Sequence, residues 1–335
     1  MSISDRWKGL GLCLGILGVI LAFIASLTAG VADLSPGDVI RGLISPATVG
    51  DKEAYLIRSV RFPRAVAAVL AGMSLAVAGA LMQAFTRNSL ASPDLLGVNQ
   101  GAGLAVVSTL FLTSGESVTG YTWIAMAGAL LAAVGVLGSS SMGQKNLSPL
   151  RLILAGSALT ALLASITQGI LILNQRSMDE MRFWLAGSLV GRDWEWVIQT
   201  GWLMVAGVGL ALLVRRQVHM LSLGEEVAQG LGMAVLPWKW FFLVLVALLA
   251  GSSVALAGPI GFIGLVVPNA IRLMIGSDYR WVIPFSACMG AFLLLVADMG
   301  ARIVLPSREV SVGVMTAFLG APYFIWLARG KGGSG

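Results

Sequence analysis

Charge is scarce in this chain. Of 335 residues, 22 are Lys or Arg and 16 are Asp or Glu, 11% together, where a soluble domain carries roughly 25%. A soluble globular fold is excluded. Histidine occurs once, at His219, and the two cysteines, Cys13 and Cys288, sit inside apolar runs with no second Cys or His at ligand spacing. That argues against a metal or redox centre and leaves both cysteines as small packing residues. No H-E-x-x-H and no G-x-S-x-G occurs, which argues against an intramembrane hydrolase. G-x-x-x-x-G-K-[ST] is missing too, so the chain does not itself cradle ATP phosphates as a P-loop protein does. Ionisable residues in mid-span, the usual sign of a proton relay, are nearly lacking, with Asp298 alone coming near. Active transport by such a chain draws its energy from another subunit.

What the chain has instead is apolar surface, 57% of residues, together with 42 glycines. Small residues at this density suit membrane helices, whose backbones approach closely because lipid supplies no hydrophobic drive between them. A span needs about 20 residues to cross roughly 30 Å of hydrocarbon. Apolar runs bounded by charge, Gly or Pro fall near 9–31, 62–86, 95–113, 121–142, 149–174, 196–214, 238–257, 259–275, 281–304 and 311–328. The expected class is an all-α polytopic membrane protein of about ten transmembrane helices, one transmembrane domain over 1–330 and a flexible tail over 331–335. The N-terminal run follows Arg6 and Lys8 like a signal peptide but exceeds the usual roughly 7–15 apolar residues, so it is taken as the first span. Trp240 to Ile271 carries no charge, and Gly258-Pro259 divides it into two spans, the second short and irregular. Tryptophans such as Trp7, Trp123, Trp194, Trp238 and Trp281 lie near span ends, where amphipathic rings favour the headgroup level.

An even span count puts both termini on one side. Placing them in the cytosol assigns 12 Lys/Arg inside and 10 outside, a weak bias under the positive-inside rule that leaves many external arginines to explain. The scattered charge gives no basic face for nucleic acid. Outside, Ser35-Pro36 followed by Val39, Ile40, Leu43 and Ile44 predicts an N-capped surface helix. Inside, the longest segment is 215–237, where Ser222-Leu-Gly-Glu225 has the spacing of a capping box and Gly232 that of a helix stop. Val227 and Leu231, with Ala228 and Gly232 beside them, would form a face able to dock into a partner's groove or to lie on the bilayer.

Three further features carry chemistry. Arg61-Phe-Pro-Arg64 places two arginines at i, i+3 at the external start of the second span, and Arg302 closes the ninth one turn after Asp298. Such arginines suit carboxylates of an outside partner, although Asp298 and Arg302 at i, i+4 can also pair with each other. Arg87-Asn-Ser-Leu-Ala-Ser-Pro93 through Gly103 is a polar, Gly-rich link, either a tight turn or a pathway lining, with Gln83, Asn99 and Gln100 as polar groups nearby. Gly258 through Asn269 is a run broken by Gly and by Pro268, tolerated at depth only against protein or a water-filled cavity.

The chain resembles the permease subunits of ferric-siderophore ABC importers, the FecCD type, which includes cobalamin importer permeases. The resemblance rests on Arg61-Phe-Pro-Arg64, Gly79-Ala-Leu-Met-Gln83, Arg87-Asn-Ser-Leu-Ala-Ser-Pro93, Leu96-Gly-Val-Asn99, Leu223-Gly-Glu-Glu226, Gly258-Pro-Ile-Gly-Phe-Ile-Gly-Leu-Val-Val-Pro268, Ala297-Asp-Met-Gly-Ala-Arg302, Val312-Gly-Val314 and Gly320-Ala-Pro322. It implies a type II ABC-importer permease fold of ten helices, a second permease subunit, two cytosolic ATPases that hold ATP and Mg, and an extracytoplasmic binding protein. It implies no catalytic site, cofactor or metal in this chain, which sits multi-pass in a bacterial cytoplasmic membrane. Arg61, Arg64 and Arg302 become the expected docking residues. Ser222, Leu223, Gly224, Glu225, Glu226, Val227, Ala228, Leu231 and Gly232 become the ATPase-coupling element, and Gln83, Asn99, Gln100, Pro268 and Asn269 candidates for a pathway or gate. Two departures are Asn269, where relatives carry His, and Ser89, where Pro is usual. Phe183-Trp-Leu-Ala-Gly-Ser-Leu-Val-Gly-Arg-Asp-Trp194 leans toward a ferric siderophore as cargo. Alternatives are cobalamin or heme in the same architecture, or an ion-coupled secondary carrier.

Overall fold

The computed structural model describes residues 5–29, 35–44, 51–113, 120–141, 149–173, 181, 184–304 and 310–331. Residues 175–180, 182 and Phe183, and 332–335 of the expected tail, lie outside the described residues, while Lys331 ends the last helix. Seven helices in this set are long and apolar enough to cross a membrane, and Val98–Leu112, Ile263–Ile275 and Val312–Tyr323 are shorter apolar helices. They match the ten expected runs one for one.

The spans are α1 (Asp5–Thr28), α4 (Phe62–Thr86), α5 (Val98–Leu112), α6 (Tyr121–Ser141), α7 (Pro149–Leu173), α8 (Trp194–Leu213), α11 (Val235–Ala257), α12 (Ile263–Ile275), α13 (Tyr279–Ile303) and α14 (Val312–Lys331). Short helices join them: α2 (Pro36–Ile44), α3 (Asp51–Tyr55), α9 (Arg215–Ser222) and α10 (Glu225–Gly230). A π-helical turn, Leu56–Arg61, runs α3 into α4. The N-cap expected at Ser35 is present: its Oγ accepts from the Asp38 amide at 3.2 Å and donates to the Asp38 carboxylate at 2.6 Å. α11 begins at Val235, earlier than the run at 238 suggests, because Pro237 falls in its first turn, where no amide hydrogen bond is lost.

α4 is the central rod, about 37 Å long at 1.5 Å per residue, with 21 of its 25 residues buried. It packs against α13, α11, α12 and α8. Backbones touch where glycine allows: a Cβ on Gly72 would strike the Gly290 carbonyl, and one on Gly79 the Gly264 carbonyl. α1 and α7 are peripheral and turn Leu10, Leu14, Leu21, Leu154 and Leu162 outward, the surface that lipid covers. Cys13 is exposed on this outer face of α1, contrary to the packing role expected of it, and Cys288 is half-buried.

α12 is the short, irregular span that Gly258-Pro259 announced. Thirteen residues rise only about 20 Å, too little to cross hydrocarbon alone. The backbone leading into it is held by protein: the Ser188 amide donates to Ala257 O at 2.8 Å, and the Gly313 amide donates to Gly187 O at 3.1 Å. Irregular backbone at depth is thereby kept away from lipid.

Candidate functional site

The two ends of the bundle carry the residues of interest. At one end meet the C-terminus of α1, the N-terminus of α4 and the C-terminal part of α13. Asp298 is fully buried and receives Arg64 at 2.9–3.0 Å on one oxygen and Arg302 on the other. The same arginine, Arg302, donates to Ser26 O at 2.9 Å, Ser26 Oγ at 3.0 Å and Ala29 O at 3.3 Å. Arg61 donates to Leu27 O at 2.8 Å and Thr28 O at 2.9 Å. A helix leaves its last four carbonyls without intrahelical donors and a partial negative charge there. Two guanidinium groups answer both needs and dock α1 against α4 and α13.

This geometry corrects the picture of open forks. Arg61, Arg64 and Arg302 are only 5–6% exposed, and the donors traced above are turned inward. The i, i+4 pairing of Asp298 with Arg302 is what forms. The three arginines are brought together, as expected, but as parts of a charge cluster inside the chain. Beside it the π-turn frees the Arg58 carbonyl to accept from Trp194 Nε1 at 3.2 Å, tying α8 to the start of α4.

In the last turn of α4, Gln83 is fully buried and faces α12. Its Nε2 donates to Gly264 O at 3.4 Å and Leu265 O at 3.1 Å. Within α12 the partner of Gly264 O would be the amide of residue 268, and proline has none. Gln83 supplies the donor that Pro268 withholds. Both were expected near a pathway or gate; the structure makes them mutual partners inside one chain. Asn99 donates to Asp94, which also receives Ser92 Oγ at 3.2 Å. Leu90 N donates to Asn88 Oδ1 at 2.9 Å. The polar link after α4 is therefore a tight, self-bonded turn, with half-buried Gln100 just beyond it. Asn269, 5% exposed, accepts from Arg272 Nη2 at 3.4 Å, and Arg272 Nη1 donates to Tyr279 OH at 3.2 Å. In this chain Asn269 helps bind the end of α12 to the start of α13.

At the opposite end lie α9 and α10. The capping box expected at Ser222 does not form: Ser222 ends α9, and its Oγ donates to His219 O at 2.6 Å. Reversing the chain between the two helices needs φ of 121°, which Gly224 supplies, so glycine is the N-cap of α10. The stop at Gly232 is real. At φ 81° its amide donates to Gln229 O at 2.9 Å and that of Met233 to Ala228 O at 3.0 Å, the paired closure of a Schellman motif. Leu223, Val227 and Leu231 are about half exposed. Ala228 is fully buried and belongs to the packed side, not to the docking face where the spacing put it.

Sequence reasoning missed Lys239 here. It is 2% exposed, its Nζ lies 2.6 Å from Glu225 Oε1, and it stands 5.8 Å from the centre of the Phe85 ring. A single lysine beside an apolar run looks like a loop charge; only the packing of three helices buries it. His219 Nδ1 lies 3.8 Å from Asp278 Oδ1, with Arg280 bonding the same carboxylate. Burial raises the Asp278 pKa, but the Arg280 hydrogen bonds and the Arg280 and His219 charges outweigh it and hold the carboxyl below its usual range. Trp281 Nε1 donates to Asp5 Oδ1 at 3.2 Å, so α1 starts at this end.

A family model described as the FecCD transport family matches residues 18–330. This chain belongs to that family. It is 41% identical over 326 residues to YfiZ of Bacillus subtilis strain 168, named as a siderophore transport system permease, covering 97% of each chain. It is 41% identical over 304 residues to the Fe(3+)-citrate import system permease YfmD of the same organism, covering 91% of this chain and 90% of that one. A solved inward-facing structure of a metal-chelate type ABC transporter matches with a TM-score of 0.82 at 25% identity, covering 97% of this chain and 99% of that one. This FecCD-family chain is thus an integral membrane protein of the ABC permease fold.

Proposed function

We propose that this chain is the translocation subunit of an ATP-driven, binding-protein-dependent importer that carries a ferric siderophore across the cytoplasmic membrane of a bacterium. The observation that carries the reading is α10 with its flanks: a six-residue helix, braced from within by Ala228 and Glu225, with Val227 on it and Leu223 and Leu231 at its two ends turned to the surroundings. Exposed apolar side chains on a short rigid helix suit insertion into a partner's groove. The partner is a cytosolic ATPase, which holds ATP and Mg and performs hydrolysis. This assignment puts α9, α10 and both termini in the cytosol and the arginine cluster outside.

The second permease subunit covers the apolar groove lined by Ala186, Val314, Ala317, Phe318, Ala321 and Ile325; Phe318 is 76% exposed. The binding protein docks over the arginine cluster. Arginines gathered at this end suit acidic lobes on the partner, which their field steers toward it. The guanidinium groups of Arg61 and Arg302 themselves stay engaged with α1, and that of Arg64 with Asp298. Cargo is assigned as a ferric chelate from the relatives named for siderophore transport and Fe(3+)-citrate import.

The test is to extract the tagged chain gently from its native membrane and identify co-purifying proteins by mass spectrometry. A P-loop ATPase in a one-to-one ratio with permease chains is expected. The second permease sequence, or its absence, separates heterodimer from homodimer. Uptake assays with ferric citrate, a ferric hydroxamate and cobalamin then decide the cargo. Gradient-driven uptake by the purified chain alone would overturn the importer reading in favour of a secondary carrier.

A further inference from the structure

Lys239 is the side chain at the α10 end whose burial most needs a reason. An ammonium group loses its hydration when buried and persists there only when paired. The pair is Glu225, 2.6 Å away and two-thirds buried, and the face of Phe85 adds a weaker attraction at 5.8 Å. These three residues belong to three different elements. Glu225 is the first residue of α10, Lys239 lies in the second turn of α11, and Phe85 is the last but one of α4.

α10 cannot hold its own position. Six residues are too few for an isolated helix, and its N-cap, Gly224, offers no side chain to the free amides. Its place depends on what grips it from the bundle. Arg87, which ends α4 at φ 49°, rests its guanidinium beside Gly224. The Lys239–Glu225 pair makes the charged link. From Phe85 the rigid rod of α4 runs back to Arg64 and Asp298 at the other end of the molecule. A displacement of α10 thus has a short physical route into the central helix.

We infer that Lys239 is a positioning residue for transport: through Glu225 it locks the ATPase-facing helix α10 onto α11 and the end of α4, so that movement imposed on α10 reaches the spans. The inference rests on the importer reading above.

The experiment uses the complete assembly of permeases, ATPases and binding protein in vesicles, with ferric citrate and a ferric hydroxamate as probes. It compares wild type with Lys239→Met, Glu225→Gln, the double variant and Lys239→Arg. The readout is ATP hydrolysed per chelate transported, which a residue that merely stabilises the fold does not change. Each single neutralisation is expected to raise that ratio about tenfold, within the range of coupling variants. The double variant should be no worse than either single one, because both remove the same link. Lys239→Arg should recover most of the wild-type ratio. If Lys239→Met fails to accumulate, Glu225→Gln decides, since it changes a partly exposed residue with little change of shape. An unchanged ratio in the neutralised variants, lower assembly with normal coupling, or additive losses overturns the inference alone. Failure of the wild-type assembly to hydrolyse ATP or move chelate overturns the importer reading itself.

Discussion

The two ends of this molecule treat their unusual residues in opposite ways. At the arginine end, charge is turned inward: Asp298, Arg64 and Arg302 are buried against one another, and the guanidinium groups of Arg61 and Arg302 close the last carbonyls of α1. At the α10 end, apolar side chains are turned outward, and Leu223, Val227 and Leu231 lie half exposed on and beside a helix gripped by a buried lysine. The first arrangement stabilises the chain by itself. The second leaves surface uncovered and makes sense with a partner upon it. A charge buried in the membrane has no solvent alternative, so its partners are fixed, whereas an exposed leucine outside the membrane awaits cover.

The sharpest way to break this contrast is Asp298→Ala. It removes the carboxylate that two buried guanidinium groups share and should cost about 3–5 kcal/mol, seen as a large drop in the thermal midpoint of the detergent-purified chain. A midpoint near wild type would show the cluster to be solvated. Next comes Gly79→Val, which drives a side chain into the Gly264 backbone and should cost roughly 1–3 kcal/mol as α4 and α12 are forced apart. Gln83→Leu removes the donor to Gly264 O and Leu265 O and should cost about 1 kcal/mol, typical of such bonds between membrane helices. At the α10 end, Leu231→Ser should change stability by no more than about 0.5 kcal/mol while ATPase recovery on pull-down falls. Equal recovery would remove the docking role of that face. The smallest effect is a pH dependence at Asp278. Its carboxyl is held below the usual range in the folded chain because the Arg280 hydrogen bonds outweigh the effect of burial, so the ionised Asp278 stabilises the start of α13 above that range. The contribution is lost as pH falls through the depressed value. Asp278→Asn should flatten that acid limb in a thermal melt across pH.

The spans were legible because lipid imposes one requirement on every crossing helix, and hydropathy reads it directly. The break at Gly258-Pro259 and the stop at Gly232 were legible for a related reason: both are local backbone events that Gly and Pro announce. Ser222 shows where local reading fails. Its spacing to Glu225 matches a capping box as well as Ser35 matches its own cap, yet the turn demanded a left-handed residue, and Gly224 took the cap. Gln83 and Pro268 were each marked as polar or broken elements, but 185 positions separate them in the sequence, and nothing in either segment says that one supplies the donor the other lacks. Ala228 looked like part of a docking face because helical spacing does not say which side meets the bundle.

By itself the sequence determined the membrane class, the ten apolar runs and the family, since each rests on composition or on contiguous motifs. The tertiary structure alone decided where charge goes. Whether Arg61 points out to a partner or in to Leu27 O, and whether Lys239 is a loop charge or a buried lock, depends on which helix ends come together. In a medium that cannot solvate an ion, that meeting selects the only partners available.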